Sequence, residues 1–97
     1  MKSSGDVHVG MTYIRSGPIA QGYRQRRKGL ARINLTDAPA ELSFERCRSI
    51  HTFGMRFDLS VLFLDRNNRV IASRITKPRR LVIAPRGTYT IVERPLR

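Results

Sequence analysis

The sequence predicts a mainly β fold: a small barrel-like or rolled sheet, antiparallel or mixed, with one or two short helices, in a single domain spanning residues 1–97. Three observations carry that expectation. From Met55 to Val61 every second residue is apolar (Met55, Phe57, Leu59, Val61), which is the period of a half-buried strand. The unbroken Val61-Leu62-Phe63-Leu64 that follows reads as the most buried part of the same strand. Short apolar stretches then recur at regular spacing with turn residues between them, the pattern of a small rolled sheet rather than of alternating strands and helices. Ninety-seven residues hold one core, bury roughly 60–65% of the unfolded surface and need no staple to do so. The one cysteine cannot form an internal disulfide.

Taken in order, Val7, Val9, Met11 and Tyr13 alternate with His8, Gly10 and Thr12, predicting a strand with His8 on its polar side. Ser16-Gly17-Pro18-Ile19 is a turn. Residues 23–31 are assigned to a helix, although Gly29 opposes it by about 1 kcal/mol. A turn over 36–40 leads into a strand over 41–46. Asp65-Arg66-Asn67-Asn68-Arg69 closes the central strand with a hairpin turn, since Asn tolerates left-handed backbone and Asp bonds its own turn. Strands are expected at 70–75, 81–84 and 88–93, joined by the basic turn 76–80 and by Pro85-Arg86-Gly87. Phe57, Leu59, Val61, Phe63, Val82 and Ile91 are the expected core.

The central block also carries a resemblance. Arg48-Ser-Ile-His-Thr-Phe-Gly-Met-Arg-Phe57, then Val61-Leu-Phe-Leu-Asp65, resembles the signature of the uncharacterised family called domain of unknown function 192. Arg27-Lys-Gly-Leu30 is similar to that family's basic Gly-Leu segment, and Ile91-Val-Glu93 with Pro95 to its closing Glu-x-Pro. The resemblance covers roughly residues 5–95. It implies a small, mostly β domain and no agreed activity. Ser60 stands where the family usually has Asp, with Asp58 two residues earlier on the same strand face.

Charge is the loudest compositional fact: 19 Lys and Arg against 7 Asp and Glu, a net +12. Such a balance raises the prospect of nucleic acid or another polyanion as partner, because neutralised phosphates release counterions. The candidate contacts are Arg24, Arg26, Arg27, Lys28 and Arg32 in one segment and Lys77, Arg79 and Arg80 in another. Spread charges are more often simply solvated, and they speak to solubility before fold. The first residues lack the roughly 7–15-residue apolar stretch of a signal peptide, and no run approaches membrane-spanning length. A cytoplasmic monomer with no membrane partner is expected.

Chemistry-bearing residues are sparse. Cys47 and His51 could pair to activate a thiolate or, with His8, supply part of a zinc site. A buried small hydrophobe is the commoner role for such a cysteine, and no cofactor or resident metal is expected. No phosphate loop, metalloprotease or hydrolase motif occurs. His51-Thr52 with Gly54 interrupts the apolar pattern with polar groups and a permissive glycine, a local rule broken in the way functional sites break them. The leading reading is therefore a non-enzymatic binding module for a small ligand or partner protein, with a site at His51, Thr52, Met55, Asp58 and Glu93. Polyanion binding is the alternative, and a metal- or Cys/His-dependent enzyme the third.

Overall fold

The computed structural model describes residues 7–97; within the helix, the side chains of Tyr23, Arg24 and Arg27 lie outside the described set. The apolar run becomes strand β3 in the order of the chain, preceded by β1 (Leu42–Glu45) and β2 (Ser49–His51) and itself spanning Leu59–Leu64. It is followed by β4 (Val70–Thr76), β5 (Leu81–Ile83) and β6 (Thr90–Pro95). β3 lies inside a four-stranded antiparallel sheet of order β1-β6-β3-β4, and β2 pairs with β5 in a separate two-stranded ribbon. The larger sheet keeps two edges, β1 and β4, so these strands form two antiparallel sheets and not a closed barrel.

The run has no polar interruption because both faces of β3 are covered. Leu59, Val61 and Phe63 join Leu42, Phe44, Phe57, Val82 and Ile91 in the main core, while Leu62 and Leu64 pack with Val70 and Val92 beneath Val7 and Tyr13. The expected core residues all fall in the main cluster. The β3–β4 turn is as its sequence suggests: Asp65 Oδ1 accepts from the Asn67 and Arg69 amides at 2.8 and 3.0 Å, and Asn68 has φ 63°.

Four local expectations are corrected. Residues 7–13 form no strand: a turn at His8–Met11 with Gly10 at φ 94° breaks the alternation, and the segment's backbone meets β4 through an isolated bridge, Thr12 to Arg69, and the Gly10 N–H bond to Val70 O. Val9 is accordingly exposed. The helix α1 spans Gly22–Lys28 and stops short of 31, because Gly29 at φ 55° leaves helical backbone. Within the central block, 49–51 forms the additional strand β2 and 52–58 is loop rather than strand, although Met55 and Phe57 are still buried. The last strand begins at Thr90 rather than 88, since Thr88 N–H closes the preceding turn onto Pro85 O. Residues Leu35–Asp37 make one 3-10 turn. Among the described residues no helix is long and apolar enough to cross a membrane.

Candidate functional site

β6 carries an acid where a hydrophobe would be ordinary. Ile91, Glu93 and Pro95 share one face by the strand's period of two, and the register places Glu93 between Leu42 of β1 and Val61 of β3, on the core side. Glu93 is 1% exposed. Burial pushes its carboxyl up to about 8, offset in part by the backbone N–H of Leu30. Its Oε1 has no hydrogen-bond partner among the described residues. Buried polar atoms are nearly always satisfied, so an orphan of this kind calls for a specific explanation.

Space lies beside the orphan. A cavity of about 200 Å³ adjoins Glu93, lined also by Gly29, Phe44, Ile50, His51, Ser49, Arg26 and Lys28. Gly29 is what keeps it open. A Cβ there would stand 3.2 Å from Glu93 Oε1 and 3.3 Å from Phe44 Cζ, and the residue's φ of 55° is one that L side chains rarely adopt. The same glycine both ends α1 and leaves room at the carboxyl.

His51 reaches the cavity from the end of β2, where it pairs with Leu81. Its ring tilts against Phe53 with centroids 5.6 Å apart, and its Nδ1 is buried and unpartnered among the described residues. Two of the residues lining this small pocket thus each carry a buried, orphaned polar atom, Glu93 Oε1 and His51 Nδ1. An imidazole nitrogen donates or accepts according to tautomer, and a protonated carboxyl does both. Arg26 is half-buried on the wall and Lys28 exposed, so the cavity's positive charge lies with these two residues.

The structure brings together His51 and Glu93 of the expected site and separates the other three residues from them. Thr52 is buried and holds the 77–80 turn instead. Its Oγ1 donates to Lys77 O at 2.7 Å and accepts from Arg80 N–H at 2.8 Å. Met55 sits in the main core. Asp58 is half-buried at the end of the loop before β3, where its carbonyl accepts from Leu96 N–H. None of the three is on the cavity walls.

The basic segments meet at the 52–54 loop. Arg32 N–H donates to Gly54 O and Arg79 N–H to Thr52 O, so Arg32 and the 77–80 turn flank it from two sides. Arg32, Lys77, Arg79 and Arg80 are exposed, although one guanidinium nitrogen of Arg80 is engaged by carbonyls of its own turn. Arg26 and Lys28 turn instead to the Glu93 cavity, and the side chains of Arg24 and Arg27 lie outside the described residues. The Cys47 thiol donates to Ser49 O at 3.1 Å, packs against the main core and is raised by burial. His8 is exposed in the N-terminal turn, and no group of three His, Cys, Asp or Glu among the described residues could hold a metal ion.

Gly29, Phe44 and Ser49 are site residues that sequence reasoning misses. The available signal is Glu93 itself, in phase with Ile91 on a strand whose pattern demands an apolar residue there. Compared with protein-family models, with curated proteins and with solved structures, the chain matches none.

Proposed function

We propose that this chain is a non-enzymatic binding module whose cavity beneath Gly29 takes a small organic acid, held by Glu93 and His51 within and drawn by Arg26 and Lys28. The single observation that carries the reading is that two residues lining one cavity, Glu93 and His51, each carry a buried polar atom with no partner among the described residues. A perturbed titratable group in a cleft is a recognised mark of a binding site. At about 200 Å³ the cavity falls below the range of sites for drug-sized ligands, so the ligand is small.

Charge selects the class. With its carboxyl pushed up to about 8, Glu93 is mainly protonated at neutral pH and donates a hydrogen bond rather than repelling an anion. The cationic side chains of Arg26 and Lys28 on the walls disfavour an amine and favour a carboxylate. The three segments that carry the resemblance described above each supply a wall residue: Gly29, His51 and Glu93. That convergence supports one shared purpose for them.

The test is an NMR titration of labelled protein with acetate, succinate and a simple amine. Carboxylates are expected to shift the signals of Gly29, His51 and Glu93, more weakly above about pH 8, where Glu93 loses its donated proton. Glu93→Gln should keep the pH-independent part of binding, and His51→Ala should weaken it. Amine binding in place of carboxylate, or shifts confined to residues away from the cavity, would remove this reading.

A further inference from the structure

Three separate turns bring a second set of polar groups together, sharing no wall residue with the Glu93 cavity. Arg48 leads into β2, and its carbonyl accepts from Ala84 N–H beside the β5–β6 turn. Arg66 stands on the β3–β4 turn, and Arg86 on the β5–β6 turn with Thr88 and Tyr89 just after it. They line an open concavity of about 490 Å³.

One of these arginines, Arg66, is held by a specific contact. The Arg66 guanidinium lies over the Tyr89 ring, 4.7 Å from its centroid, while Arg46 Nε donates to the Tyr89 hydroxyl at 3.3 Å. A guanidinium stacked on an aromatic face keeps its in-plane N–H groups free to meet an oxyanion in forked geometry. The ring face covered by Arg66 is not open to a stacking base, so this tyrosine acts as a support for the cation. Thr88, also on the wall, carries a neutral donor: its Oγ1 is buried and has no partner among the described residues. Asp65, the one acid on these walls, spends its Oδ1 on the amides of Asn67 and Arg69. Among the described residues no carboxylate forms an ion pair with Arg48, Arg66 or Arg86.

We infer that this concavity is a phosphate-binding site, in which Arg66, Arg86 and Arg48 contact the oxyanion and Thr88 Oγ1 donates a hydrogen bond to it. The phosphate is carried either by a free phosphorylated small molecule or by a strand of nucleic acid, the same chemistry from two sources. The arginines of this site are separate from the basic segments at 24–32 and 77–80, and binding here does not depend on the Glu93 cavity.

The experiment is binding of inorganic phosphate, a nucleoside monophosphate and a short single-stranded oligonucleotide, followed by NMR at the Gly87, Thr88 and Tyr89 amides. Two double variants of equal charge are compared: Arg66→Ala with Arg86→Ala, and Lys77→Ala with Arg80→Ala. The first pair should lose affinity for all three probes on the order of tenfold or more, and the second less than about twofold. Thr88→Val, which removes only the hydroxyl, should weaken inorganic phosphate several-fold with an unchanged melting temperature. Nucleoside monophosphate binding as tightly as the oligonucleotide identifies a free phosphorylated ligand; a tighter oligonucleotide with a steeper salt dependence identifies a strand. Equal losses from both pairs would mean diffuse attraction and overturn the site. So would a polyglutamate peptide that binds as well as the oligonucleotide, or phosphate addition that leaves the 87–89 amides unmoved.

Discussion

Two glutamates are buried in this domain, one residue out of register with each other across the β1–β6 pair, and they are treated in opposite ways. Glu41 directly precedes Leu42, the residue that pairs with Glu93. Its carboxylate accepts from the Tyr13 hydroxyl at 2.5 Å, from Ser16 N–H at 2.8 Å and from Gly17 N–H at 3.4 Å. Gly17 packs so tightly that a Cβ there would lie 2.3 Å from Glu41 O, which closes the 16–18 loop over the acid. Burial, reinforced by the bond to Glu41, pushes the Tyr13 phenol up to about 12 and keeps it a donor. Glu93 has instead an orphaned oxygen, a glycine holding space open, and a cavity. A buried carboxylate that is fully bonded belongs to the architecture. One left with an unpaired oxygen beside a cavity is held ready for something else.

Changing pH should separate the two glutamates most forcefully. Glu93 has a folded pKa of about 8 against an ordinary 4.5, so between those values the folded chain holds a proton that the unfolded chain has released. Its contribution is present in full below about pH 4.5 and is lost as pH rises through about 8, a decline on the order of 5 kcal/mol. Denaturant unfolding from about pH 5 to 9 should show this fall in the native chain and a flatter profile in Glu93→Gln. Identical profiles would mean that Glu93 is compensated as Glu41 is.

Next in size is the loss of the compensated partner. Glu41→Ala orphans the Tyr13 hydroxyl and the amides of the 16–17 loop, and should lower stability at neutral pH by about 3 kcal/mol, a melting temperature lower by more than about 10 °C. Glu93→Gln, keeping the shape and offering a neutral amide where a protonated acid stood, should change neutral-pH stability by less than about 1 kcal/mol. Chemical denaturation of the two variants side by side checks both. A larger loss from the Glu93 change would reverse the assignment of roles.

The smallest effect concerns one bond. Tyr13→Phe removes a single donor from Glu41 while the two loop amides remain, and should cost about 1–2 kcal/mol by thermal unfolding. No change at all would mean that the 16–17 amides satisfy Glu41 unaided.

How much of this is legible in the sequence follows from where each signal resides. Val61–Leu64 and the Asp65–Arg69 turn announce themselves because their cause is local: a doubly covered strand is unbrokenly apolar, and Asp65 bonds its own turn. β2 escapes notice because Ile50 is its only fully buried residue, and three positions cannot display a period. The N-terminal alternation misleads for the reverse reason. Val9 and Met11 have the pattern but no covering layer, and Gly10 turns the chain away. At the site, His51 and Glu93 stand out as polar residues in apolar stretches. Gly29 and Phe44 do not, since a space is made by elements that approach only in the fold. Arg48, Arg66 and Arg86 lie on three separate turns, and nothing in their local sequence links them.

Whether Glu93 is a buried carboxyl left uncompensated beside a cavity can be read from its own side chain, by following the carboxyl carbon by NMR against pH. A midpoint near 8 is expected for Glu93 in the free protein. A midpoint close to the ordinary 4.5 would contradict this, since the acid would then be stabilised as an anion and its pocket would have nothing left to offer.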